Sequence, residues 1–390
     1  MAGPLSHVRV LDLSRIMAGP WAGQILADLG ADVIKVERAG VGDDTRRWGP
    51  PYLAGSDGEE TAESGYYLSV NRGKRSVELD ISTEAGQEAV RRLAASSDIL
   101  LENFKAGGLK RYGLGPDELR ALNPRLIYCS ITGFGADGPR AKDVAYDFMI
   151  QAMGGLMSVT GDPEQGPQKV GVPIIDIMTG MYAVIGVLAA LARRGETGIG
   201  DYVDLAMLDV SAAMLANQAM NYLVSGNVPG LRGNKHPNIQ PQDVFPVADG
   251  HIVLAVGNDE QFARFAEAIG HEELASDERF ATNRARVENL GQLIPIIEAA
   301  FATRGVEEWV ERLGAAHVPC GPINTVDKVF ADPQVVHREM IRDLPHPLSG
   351  TVRQVVSPLR FAEAPLAFER PPPLLGGRTD DVMKELGLTP

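Results

Sequence analysis

Asp176 is the only carboxylate in the apolar run Val170-Gly171-Val172-Pro173-Ile174-Ile175-Asp176-Ile177-Met178-Thr179-Gly180. Two kinds of chemistry suit it. As a helix N-cap, its oxygen would accept an orphan backbone N–H. As a carboxylate kept ionised by a helix N-terminus, it would be a nucleophile. The roles can coexist. Asp147, after Tyr146, reads by itself as a loop or cap residue. Asn103-Phe104 closes an apolar strand, and open α/β sheets bind ligands at strand C-termini. The seven histidines form no cluster; His236 lies in the loop Gly233-Asn234-Lys235-His236-Pro237-Asn238 and reads as solvated. Cys129 and Cys320 fit no metal-ligand spacing, so no metal is expected. No Walker A loop or His-Glu-x-x-His occurs. The stretch Arg15-Ile16-Met17-Ala18-Gly19-Pro20-Trp21-Ala22-Gly23 lacks the glycine pair of a dinucleotide fingerprint. Glu37 stands where a ribose-binding acid could, although a strand-end glutamate is more often merely solvated.

The elements that must hold these residues follow from periodicity. Val8–Leu13 is a β-type run, Ala18-Gly19-Pro20 breaks it, Trp21–Leu29 has helical spacing, and Asp32–Glu37 is a second strand. That βαβ unit implies a parallel sheet. Helix Thr83–Ala95 into strand Asp98–Glu102, then helix Pro116–Leu122 into strand Leu126–Ile131, extends a doubly wound sheet over roughly the first 200 residues. Gly42–Gly65 reads as a surface excursion. A Gly/Pro/Asn stretch at Gly226–Pro241 follows the helix Asp209–Leu223 and marks a seam. Beyond it lie a strand, Gly250–Val256, and helices Glu260–Ile269, Leu290–Ala302 and Val306–Leu313. Arg370-Pro371-Pro372-Pro373 is an extended polyproline-type piece.

The 390 residues carry 37 Lys+Arg against 51 Asp+Glu, a net charge of −14. That balance argues against a nucleic-acid binder, which would present a basic face. From Gly257 to Arg312 the count is 12 acidic against 6 basic, so this segment carries much of the excess. Met1–His7 has no secretory pattern, and the longest uncharged apolar run, Ile177–Ala192, has 16 residues, below the ~20 of a spanning helix. A cytoplasmic chain without a membrane span is expected.

In this order, Val10-Leu11-Asp12-Leu13 with Ala18-Gly19-Pro20, Leu29-Gly30-Ala31-Asp32-Val33-Ile34-Lys35-Val36-Glu37, Asn71-Arg72-Gly73-Lys74-Arg75-Ser76, Glu102-Asn103-Phe104, Gly133-Phe134-Gly135, the Asp176 stretch and Arg370–Pro373 resemble the class III CoA-transferases end to end. The resemblance implies a Rossmann-like doubly wound large domain, an inserted smaller α/β domain and an interlocked, ring-like homodimer. The corresponding spans are 1–200 for the CoA-binding domain, 201–225 for a linker helix, 226–330 for the small domain and 331–390 for a segment returning to the first. It implies Asp176 as the nucleophile, Asp147 as the support of the catalytic loop, and Gly233 and His236 in a loop that steadies oxyanions, although that loop lacks the glycine run of some members. The CoA contacts it implies are Met17, Ala18, Arg38, Leu79, Asn103, Phe104, Arg111, Tyr112 and Tyr146. Coenzyme A is then a substrate and product, with no resident cofactor.

Gly42–Pro51, Gly257-Asn258, Val318–Asn324 and Pro371–Gly376 are most similar to the branch that moves CoA from succinyl-CoA to glutarate and related dicarboxylates. A distal carboxylate needs a cation, and Arg46 or Arg47 is the candidate, each reading equally as a surface-loop arginine. Two alternatives stand beside this. The 2-methylacyl-CoA racemases of the same superfamily use a histidine where this chain has Tyr146, and tyrosine, with a pKa near 10, is a poorer proton-exchange group. A CoA-binding scaffold would bind without turnover.

Overall fold

Alternation along the first strand sorts the core into two layers. Val8 and Val10 face one side, and Leu11 and Leu13 the other. The computed structural model describes residues 3–366 and 368–388. Six parallel strands, β1 (Arg9–Asp12), β2 (Asp32–Arg38), β3 (Arg75–Leu79), β4 (Ile99–Glu102), β5 (Ile127–Thr132) and β6 (Tyr202–Ala206), lie in the order β6-β5-β4-β1-β2-β3. This is the doubly wound order, with its reversal between β1 and β4. Register is tight: Leu11 pairs Ile34 on one side and Leu100 on the other.

Both faces are covered, as a parallel sheet requires. Helices α1 (Ala18–Asp28) and α6 (Ile174–Thr197) supply Ala18, Ala22, Leu26, Ala183 and Val187 to one side. Helices α3 (Glu84–Ala95), α4 (Pro116–Leu122) and α12 (Thr379–Glu385) supply Val90, Leu93, Leu119 and Val382 to the other. The proline expected to break the chain at residue 20 instead sits in the first turn of α1, where its missing N–H costs no hydrogen bond. Helix α6 exceeds the 16-residue apolar run: its 24 residues include an 18-residue window with a mean hydropathy of 2.0, long and apolar enough to cross a membrane by length and composition alone. One side of it packs on the sheet, while Met181, Tyr182 and Ile185 are exposed.

The chain divides into two units. The first comprises Met1–Leu156, Val170–Ala219 and Pro333–Pro390, the second Met157–Lys169 and Met220–Asp332. The expected span 1–200 therefore has to give up residues 157–169: Gly161–Asp162 pairs with Gly166–Pro167, and the Gly161 carbonyl accepts the Gly233 N–H at 3.0 Å. The helix expected over Asp209–Leu223 is two, α7 (Met207–Met214) and α8 (Ala216–Ser225), parted at Ala216, whose φ is 41°.

The tail meets the sheet through the polyproline piece. Arg370 C=O accepts the Gly73 N–H, Pro373 C=O accepts an N–H of Arg46, and Arg378 N–H donates to Ser76. Prolines suit this segment because it contributes carbonyls and needs few N–H donors. In the second unit, strands β7 (Gln242–Val247), β8 (Gly250–Ala255) and β9 (Cys320–Pro322) form an antiparallel sheet. Helices α9 (Asp259–Ile269), α10 (Leu290–Phe301) and α11 (Val306–Ala315) close over an aromatic core in which Phe301 stacks edge-on to Phe245 and Trp309.

Candidate active site

Asp176 is the third residue of α6 and is not its cap. Pro173 occupies the N-cap position and offers no side-chain acceptor. The cap comes instead from Asp147, the first residue of α5 (Asp147–Met153). Its Oδ1 accepts the N–H of Ile175 at 2.7 Å and of Asp176 at 3.1 Å, and its Oδ2 accepts Gln151 Nε2 at 2.6 Å. Buried Gln151 completes the brace by accepting the Val170 N–H at 2.9 Å. Because Asp147 has taken the orphan amides, the carboxylate of Asp176 is left without a hydrogen bond or cation among the described residues. Burial, and then the charge of Asp147, push it up to about 7. Such a carboxylate is raised in energy and half ionised near neutrality, as a nucleophile should be. The sequence missed Gln151, although it stands one turn after Asp147, the spacing at which helical side chains meet.

Tyr66, on the short helix α2 (Gly65–Leu68), is a second residue that spacing did not reveal. Burial, and then the charges of Asp176 and Asp147, push its hydroxyl up to about 12, so it stays protonated beside Asp176. Its ring meets Trp48 edge-on at 5.0 Å.

A cavity of about 620 Å³ opens at the C-terminal ends of β1–β4, at the reversal in strand order. Of the residues singled out from the sequence, Glu37, Arg38, Leu79, Phe104, Arg111 and Tyr112 line it. Arg38 and Arg111 are exposed cations at its rim, and the guanidinium of Arg111 lies 4.5 Å from the Tyr112 ring centre. Met17, Ala18, Asn103 and Tyr146 stand outside the lining. Met17 and Ala18 are buried at the start of α1, and Tyr146 is the exposed N-cap residue of α5.

The sequence reading of Gly42–Gly65 is corrected in part. Within it, Asp43, Thr45, Arg46, Glu63 and Ser64 are buried. Arg46 is unavailable to a substrate. Its Nε and Nη2 donate to Glu37 at 2.8 Å each, Nη1 to both oxygens of Glu63, and Nη2 also to Pro373 C=O. The guanidinium stacks 3.7 Å over Tyr67. All five donors are therefore committed to the fold. Arg47 is exposed and spends one donor on Val41 C=O, so it keeps free donors. Glu37 is buried rather than solvated, and its oxygens accept from Arg46, Ser76, Tyr67 and the Asp43 N–H.

The basic run Asn71–Ser76 is likewise internal. Lys74 Nζ reaches Asp12 at 2.9 Å, Arg72 reaches Asp28 at 2.6 Å, and Arg75 reaches Asp32 at 2.6 Å. In the second unit, Gly233 adopts φ 63°, a left-handed conformation that glycine takes without steric cost. His236 is half-buried rather than solvated, and its Nδ1 accepts the N–H groups of Asn238 and Ile239 at 3.1 Å.

The family model described as CoA-transferase family III matches residues 5–379. The chain is 48% identical to the succinate–glutarate CoA-transferase of Agrobacterium fabrum, over 98% of this chain and 96% of the relative. It is 39% identical to the human succinyl-CoA:glutarate CoA-transferase, over 98% of this chain and 86% of the relative. A crystal structure of a CaiB/BaiF family protein from Brucella suis superposes with a TM-score of 0.87 at 48% identity, covering 99% of this chain and all of that one.

Proposed function

The chain belongs to CoA-transferase family III, and from that premise we propose that it moves CoA from succinyl-CoA to glutarate or a similar dicarboxylate, with Asp176 as the nucleophile. The observation that carries this reading is the carboxylate left unpartnered at the start of α6 while Asp147 caps the helix.

The Asp176 carboxylate attacks the thioester carbonyl, the C–S bond breaks, and a mixed anhydride and CoA thiolate result. The thiolate attacks the aspartyl carbonyl of that anhydride, releases the donor acid and leaves an aspartyl-CoA thioester. The acceptor carboxylate then attacks this thioester and expels the thiolate. The thiolate takes the acceptor acyl group from the new anhydride, which regenerates Asp176. Each step exchanges one activated acyl bond for another, so thioester energy is conserved while water is kept out. Arg38 and Arg111 serve the CoA phosphates, and Phe104 and Tyr112 give the nucleotide an apolar wall. Arg47, with Arg46 excluded, is the candidate for the distal carboxylate of the acceptor. Gly233 and His236 remain proposed for oxyanion support, by the resemblance alone.

A homodimer, interlocked as the resemblance implies, gives the exposed apolar residues Phe148, Met149, Met181, Tyr182 and Ile185 a second copy to pack against. A cytoplasmic setting suits two unpaired cysteines, one of them buried. The transferase reading is favoured over racemisation, because the relatives carry transferase names and Tyr146 stands before Asp147.

The test is incubation of the enzyme with succinyl-CoA and a panel of acids, reading acyl exchange by mass spectrometry. The reading expects exchange with glutarate-like acids and its loss in Asp176→Ala. Full exchange in that variant, or racemisation of a 2-methylacyl-CoA without exchange, contradicts it.

A further inference from the structure

Ile16 has φ 71°, in the left-handed region that a β-branched residue adopts only when its surroundings force it. Those surroundings are explicit. The Asn103 side chain grips Arg15 from both sides: Oδ1 accepts the Arg15 N–H at 2.8 Å and Nδ2 donates to the Arg15 C=O at 2.7 Å. The Asp43 carboxylate accepts the Ile16 N–H at 3.2 and 3.3 Å. Asp43 is itself fixed by Lys35 Nζ at 2.9 Å and by the N–H and hydroxyl of Thr45 at 3.0 and 2.8 Å.

The turn joins two working parts of the site. On one side, Arg15 belongs to the wall of the cavity, its guanidinium 5.7 Å from the Phe104 ring centre. On the other, Met17 and Ala18 begin α1, whose approach to α6 is so close that a Cβ at Gly180 would lie 2.7 Å from the Ala18 carbonyl oxygen. Gly180 is one turn beyond Asp176.

We infer that Asn103 and Asp43 are positioning residues that together hold Arg15–Met17 in its strained form and so fix the wall of the CoA cavity against the helix that carries the nucleophile. Asn103 is then a clamp on the backbone, with one amide N–H and one carbonyl lone pair of its side chain held by Arg15. The strain has a use: a thioester carbonyl must come within about 3–3.5 Å of Asp176, and a misplacement of about 1 Å arising far from the chemistry can cost on the order of a hundredfold. This inference rests on the proposed role of Asp176.

Asn103→Ala removes both contacts to Arg15 and strands no buried charge, so the variant folds. Single-turnover formation of the aspartyl-CoA thioester should slow by roughly tenfold to a hundredfold, with the KM for succinyl-CoA changing much less. Adding Ile16→Gly should restore at least a third of the lost rate without raising the melting temperature, because glycine adopts this φ without steric cost while its greater freedom in the unfolded chain offsets the gain in stability. That separation of rate from stability would not arise from a merely structural role. Asp43→Asn, if it folds, should lose rate in the same way. An Asn103→Ala enzyme as fast as the wild type, or a double variant no faster than Asn103→Ala, overturns the clamp alone. A wild type that forms no aspartyl thioester overturns both the clamp and the reading beneath it.

Discussion

At the scale of single residues, the site depends on two aspartates with opposite duties. The Asp147 carboxylate is tied by three hydrogen bonds and that of Asp176 by none among the described residues, so neighbouring carboxylates on adjoining helices differ in what they can do. Asp147→Asn keeps an oxygen for the helix amides but removes the charge that helps raise Asp176. The rising limb of kcat/KM, expected near pH 7 for deprotonation of Asp176, should therefore move to lower pH. The new Nδ2 faces the Gln151 donor, so some stability is lost as well. Asp147→Ala removes the cap and should cost about 1 kcal/mol in urea unfolding, with a fall in kcat. A limb that stays in place in Asp147→Asn would show that burial alone sets the proton affinity of Asp176. From sequence, Asp176 was visible as a lone carboxylate in an apolar run, but its cap reading and its nucleophile reading could not be separated. The separation comes from Asp147, 29 residues away.

At the scale of elements, buried ion networks fix the loops around the sheet. Arg46→Ala leaves Glu37 and Glu63 buried without their cation and should cost about 3–5 kcal/mol in denaturant unfolding. Arg47→Ala should leave stability within about 0.5 kcal/mol and raise the KM for the dicarboxylate acceptor. The reverse pattern would exchange their roles. Glu102, at the end of β4, accepts from Ser130 at 2.5 Å and from the Phe104 N–H at 2.7 Å, with no cation paired to it among the described residues. Burial pushes it up to about 7, so the folded state holds a proton that the unfolded state has already released above its usual value of 4.5. Stability is therefore lost as pH rises from about 4.5 to 7, by the sign of the linkage relation. Glu102→Gln should flatten that slope and stabilise the protein at pH 8 by on the order of 1–3 kcal/mol, read from urea midpoints at pH 5 and 8. The strands and most helices were legible because apolar periodicity is local. The fate of Glu37, Arg46 and Asn71–Ser76 was not, because their partners come from other elements and charge alone cannot distinguish a ligand from a brace.

At the scale of the whole molecule, the reversal in strand order and the cavity beside it follow from the βαβ pattern, as does the placement of Arg38 and Phe104 at strand ends. The transfer of residues 157–169 to the second unit was not legible, because Gly161–Asp162 pairing with Gly166–Pro167 leaves too short a signal. The exposed apolar residues of α5 and α6 carry the expectation of a second copy. Analytical ultracentrifugation should give twice the 41.8 kDa of the chain, and Ile185→Lys should weaken that assembly. A monomer at micromolar concentration would remove the proposed dimer.

We predict that the acyl group and CoA both pass through Asp176. Wild-type enzyme incubated with succinyl-CoA without acceptor, quenched in acid and digested, should yield the Asp176 peptide carrying CoA as a thioester. Hydroxylamine should convert this adduct to a hydroxamate, and the CoA-bearing peptide should disappear when glutarate is added. An adduct on another residue, or exchange that proceeds with no covalent CoA at any time, would contradict the account.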